Sequence, residues 1–112
     1  MAFMNPIKTL AVLVLFLPAT ALAGEMFECR DIYDARSNLK APVLVVAIVN
    51  DDGKTGEIRV AGVTHAAKYS VDGLNRVWLF DKKYKLVVEP NGESLSFGEG
   101  GSNIQSYLCT KV

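Results

Sequence analysis

From Met26 onward, apolar residues recur at every second position in short runs, and Gly, Asn, Asp or Pro interrupts each run before a helical period can establish itself. Such a chain builds sheets joined by tight turns. The expected strands are Met26–Asp31, Val43–Val49, Glu57–Val63, Ala66–Val71, Asn75–Phe80, Tyr84–Glu89, Ser94–Phe97 and Ile104–Thr110. Val43–Val49 is unbroken and β-branched, which suits a strand buried on both faces. In Ser94–Phe97, Leu95 and Phe97 are expected inward. Turns are expected at Asn50–Gly53, Asp72–Gly73, Asp81–Lys83 and Pro90–Glu93, with a glycine-rich loop at Gly98–Ser102 and room for one helical turn between Ile32 and Pro42. About eight short strands in one small unit imply an all-β fold, either a small antiparallel barrel or a compact sandwich.

The residues before this pattern read differently. Lys8 precedes a purely apolar run, Leu10–Leu17, and Pro18 breaks it ahead of Ala19-Thr20-Ala21-Leu22-Ala23, which offers small residues where a signal peptidase reads them. Residues 1–23 are therefore expected to be a cleaved export signal, and 24–112 the working domain. Leu10–Ala23 is too short for the roughly 20 apolar residues that a spanning helix needs. Gly24 rather than Cys would follow the cut, so no lipid anchor is expected. The mature protein is expected to be periplasmic or secreted, with no stable membrane anchor. No Asn-x-Ser/Thr acceptor occurs, which favours a bacterial route.

Cys29 and Cys109 are the only cysteines and both lie beyond the expected cut. Two cysteines permit one pairing, and in an oxidising compartment a disulfide joining the first and last strands is the expected state. Loop-closure entropy for so long a loop amounts to about 4 to 5 kcal/mol. A small domain, whose total stability is about 5 to 15 kcal/mol, has an obvious use for it. A redox or metal-binding pair would want a C-x-x-C spacing or nearby histidines, and neither is present.

Lysine and arginine balance aspartate and glutamate at 12 each, and loss of Lys8 with the signal leaves a net charge of −1. A neutral chain with interspersed signs lacks the gathered cationic face that nucleic acid or anionic lipid requires, so neither is an expected partner. No cofactor or metal is expected either. Asn50-Asp51-Asp52-Gly53 reads as a turn, because a calcium loop needs alternating acidic positions and a distant Glu. Gly98-Glu99-Gly100-Gly101 leads into a strand rather than the helix a phosphate cradle uses. Asp81-Lys82-Lys83-Tyr84-Lys85 holds too few cations for a nucleic-acid strand. Trp78 and Phe80 share one strand face and are expected in the core. His65 is the single histidine, and without companion ligands it reads as a surface or hydrogen-bonded residue.

The segment Thr64-His65-Ala66-Ala67-Lys68-Tyr69-Ser70-Val71-Asp72-Gly73, with Trp78 after it and Phe27-Glu28-Cys29 and Cys109 bracketing the domain, resembles the bacterial envelope inhibitors of C-type lysozyme. That family's signature is a loop S-x-S-G-A-x-Y running into a strand with a W-x-K-G turn. Ala67, Lys68 and Tyr69 match the end of the loop and Trp78 matches the strand. The family's loop Ser falls at His65, its Gly at Ala66 and its turn Lys at Phe80, with Lys82 two residues further on. The resemblance implies an eight-stranded barrel that binds a lysozyme-like hydrolase through loop residues His65, Lys68, Tyr69 and Lys82. The sequence thus points to a non-catalytic binding protein. The rival readings are a small-ligand carrier with a pocket inside the barrel, a small hydrolase using His65, and a structural envelope protein.

Overall fold

The computed structural model describes residues 24–38 and 40–112, so the expected export signal lies outside the described residues. No described helix is long and apolar enough to cross a membrane. Eight strands follow one another: β1 (Met26–Asp31), β2 (Val45–Val49), β3 (Thr55–Val60), β4 (Val63–Asp72), β5 (Asn75–Phe80), β6 (Tyr84–Val88), β7 (Glu93–Phe97) and β8 (Gln105–Lys111). Each pairs antiparallel with the next, and β8 returns to β1 to close the barrel. One short helix, α1 (Ile32–Ser37), leaves β1 directly. The Asp31 carboxylate caps it by accepting the Tyr33 and Asp34 amides at 2.9 and 3.1 Å, and the helix buries Ile32 and Ala35 against β1 and β8.

The closing seam is the cysteine pair. Cys29 and Cys109 stand directly opposite each other in the β1–β8 ladder and are joined by a disulfide across 80 residues of sequence. Both strand ends are thereby held in a single register.

A barrel wall has one interior, so only alternate residues of each strand can enter it. In β2 this places Val45, Ala47 and Val49 inside and leaves Val46 and Ile48 half-buried outside, so the run is not buried on both faces. Its β-branched continuity serves strand propensity on the outer wall as well. In β7 the inward residues are the serines. Val88 and Leu86 face the core, and their register partners are Ser94 and Ser96, so Leu95 turns outward at 46% exposure and Phe97 is half-buried on the same outer side.

Trp78 fills the centre at 0% exposure, edge-on to Phe27 at 5.8 Å and 5.0 Å from Tyr69. Its indole nitrogen crosses β3 to donate to the Ile48 carbonyl at 2.9 Å. Gly56 permits this, since a Cβ there would come within 2.8 Å of that nitrogen and 2.3 Å of the Ile48 oxygen. Ile58, Leu86, Val88, Phe80 and Tyr107 complete the interior. What remains is a cavity of about 50 Å³, far below the 300 Å³ or more of a ligand pocket. Around Trp78 the interior is filled by side chains of the described residues.

Candidate functional site

With the centre of the barrel occupied, the candidate site is sought on the outer wall and the strand ends. β3 and β4 meet in a two-residue turn, Ala61-Gly62, with both φ angles positive at 51° and 77°. Alanine is an uncommon residue for such a turn, which is why the sequence pattern carries a strand through to Val63. The structure turns there and makes β4 one long strand of 10 residues. His65, Lys68 and Tyr69 therefore sit within a strand and not on a loop.

The strand period puts Lys68 on the outer face and His65 and Tyr69 on the inner one. Lys68 is exposed on the outer wall, opposite Leu79 of β5. Tyr69 points into the core at 7% exposure and its hydroxyl accepts a hydrogen bond from Arg76 at 2.8 Å. It is unavailable to a partner. His65 faces the barrel mouth, 5.6 Å from the Phe80 ring, which in turn stacks on Tyr84.

β5 ends at Phe80, and Asp81-Lys82-Lys83 turns the chain into β6 with Phe80 opposite Tyr84. Asp81 and Lys82 both adopt left-handed backbone, φ 52° and 63°. For a lysine this conformation is strained, since its Cβ crowds the following carbonyl. The Asp81 carboxylate lies 3.2 Å from His65 Nδ1. Lys83 rests its ammonium 5.6 Å from the centre of the Tyr84 ring. Beside the turn, Ala66, Lys68, Leu79 and Lys82 line an outer groove of about 490 Å³. Neither Lys68 nor Lys82 has an ion-pair partner among the described residues.

Three of the four expected site residues thus gather at one place, two on the groove and His65 against its Asp81 wall. Asp81 is the member that sequence reading did not assign. The two residues are 16 apart, and only the β4–β5 register shows that they meet. A histidine oriented by a carboxylate also supplies two of the three members of a nucleophilic triad. The only side-chain hydrogen bond of this ring among the described residues is the one to Asp81.

The opposite end of the barrel holds a second polar cluster. Glu25, with its side chain 5% exposed, pairs with Arg76 at 2.6 Å and with Lys111. Arg76 also lies 5.0 Å from the centre of the Phe27 ring. Burial opposes ionisation of Glu25, but hydrogen bonds and charge from Lys111 and Arg76 outweigh it and hold the carboxyl below the ordinary carboxylate range.

No known protein family, curated protein or solved structure matches this chain.

Proposed function

We propose that this protein is an exported, non-catalytic binding barrel that acts through the β4–β5 groove, and most specifically that it inhibits lysozyme or a similar hydrolase. The observation that carries this reading is the convergence of His65, Lys68 and Lys82 on one groove and its rim, outside a barrel whose centre is filled by Trp78 and its neighbours. Two cations with no ion-pair partner among the described residues complement the pair of carboxylates that a glycosidase cleft carries. The resemblance to the lysozyme inhibitors implies binding through residues that include Lys68 and Lys82, and both line this groove. Clearing of cell walls by a C-type lysozyme, followed while residues 24–112 are titrated in, tests the reading. Inhibition that Lys82→Ala weakens supports it, and no inhibition at large molar excess rejects its specific form.

The His65–Asp81 pair favours a second reading, a hydrolase in which the imidazole activates water. Hydrolysis of an activated ester that disappears in His65→Ala would establish it. The binding reading expects hydrolysis no faster than in buffer.

A further inference from the structure

The turn after β5 holds two consecutive non-glycine residues in left-handed backbone, Asp81 at φ 52° and Lys82 at φ 63°. Strain of this kind persists only where surrounding contacts over-determine it. Lys82, at the apex, lines the groove and has no ion-pair partner among the described residues, so its own side chain does not supply the hold. The contacts lie on either side of it. Phe80 stacks on Tyr84 at the base of the turn with ring centres 5.8 Å apart, and Lys83 sits over the Tyr84 ring. The Asp81 side chain reaches back to His65 Nδ1 on β4 at 3.2 Å. That contact is the one that ties the turn to a strand outside its own hairpin.

We infer that His65 is a positioning residue: by holding the Asp81 carboxylate it fixes the left-handed turn that presents Lys82 over the groove. His65 is suited to this because its side chain is only 22% exposed and its ring packs on Phe80, so the nitrogen facing Asp81 is itself held in place. The fixed turn lowers the ordering cost that a partner would otherwise bear on engaging Lys82. The conformational part of the inference stands on the barrel alone. Its consequence for binding rests on the proposed function.

The experiment uses residues 24–112 with the disulfide formed, and reads the backbone of Asp81 and Lys82 by scalar couplings, amide shifts and relaxation in solution NMR. His65→Phe keeps a ring against Phe80 and removes the nitrogen. His65→Asn keeps a donor at the δ position. The expected result is that His65→Phe releases residues 81–83 from the left-handed conformation while β4 and β5 keep their shifts, and that His65→Asn restores the native couplings. Positive φ and unchanged order at both residues in His65→Phe would overturn the inference, as would failure of His65→Asn to restore the turn. Should His65→Phe disturb the strands, Asp81→Ala removes the same contact from the other side and gives the same two outcomes. Inhibition of a C-type lysozyme, measured in parallel, is expected to weaken about tenfold in His65→Phe and to stay within about threefold of wild type in His65→Asn. A wild-type protein that does not inhibit rejects the proposed function, while the couplings still decide the role of His65.

Discussion

At the scale of single residues, the core is decided by a pair, Trp78 and Gly56. The indole has one donor, and burying it unpaired would cost about 1 to 3 kcal/mol. The glycine on β3 lets it reach the Ile48 carbonyl instead. Gly56→Ala should therefore displace both the indole and the β2 backbone, lowering stability by about 3 kcal/mol in urea unfolding. Lys82 presents the opposite case, a residue whose backbone is costly where it stands. Lys82→Gly should raise stability by about 0.5 to 1 kcal/mol, since glycine adopts positive φ without strain. The same variant should lose affinity for a hydrolase partner, so stability and function would move in opposite directions at one position. Sequence alone reached part of this. Trp78 and Phe80 are in the core as alternation suggests. Leu95 and Phe97 face outward, because the inward side of β7 is set by its register with Leu86 and Val88 and not by its own hydrophobicity.

At the scale of elements, β1 and β5 were legible residue for residue from their alternation, and a charged turn closes β5. The β3–β4 hairpin was hidden because Ala61 takes a left-handed turn position that glycine or asparagine ordinarily fills. With it went the correct start of β4, and so the placement of His65 within a strand, whereas Lys68 already lay in the expected strand Ala66–Val71. Pairing between distant elements left no local mark either. Glu25, just ahead of β1, is clamped by Arg76 of β5 and Lys111 of β8. Because the clamp holds the folded carboxyl below its ordinary value of 4.5, its stabilisation is complete above that pH. It fades as pH falls through the folded value, where the native carboxyl also takes up a proton. Unfolding midpoints in urea should accordingly show Glu25→Gln clearly less stable than wild type at neutral pH, with the gap narrowing steadily below 4.5.

At the scale of the whole molecule, one disulfide and one filled core make a barrel whose two ends differ in how their charges are paired among the described residues. The Cys29–Cys109 bridge closes an interval of 80 residues directly across the β1–β8 ladder. By the loop-entropy relation its reduction should cost about 4 kcal/mol, read as a fall in the urea midpoint of residues 24–112 on adding reductant. Equal midpoints with and without reductant would contradict the expectation. The end beside the Glu25 cluster is tied together by charge, and the end bearing the Asp81–Lys83 turn leaves Lys82 and Lys68 unpaired beside a groove among the described residues. That contrast is the physical reason for placing recognition at the second end. The most direct measurement is a titration of the disulfide-bonded barrel against a C-type lysozyme, followed by calorimetry and by loss of wall-clearing activity, with Lys82→Ala alongside. Saturable one-to-one binding with inhibition, weakened at least about tenfold by Lys82→Ala, is the predicted result. Absence of binding at large molar excess, or inhibition that Lys82→Ala leaves untouched, would contradict it.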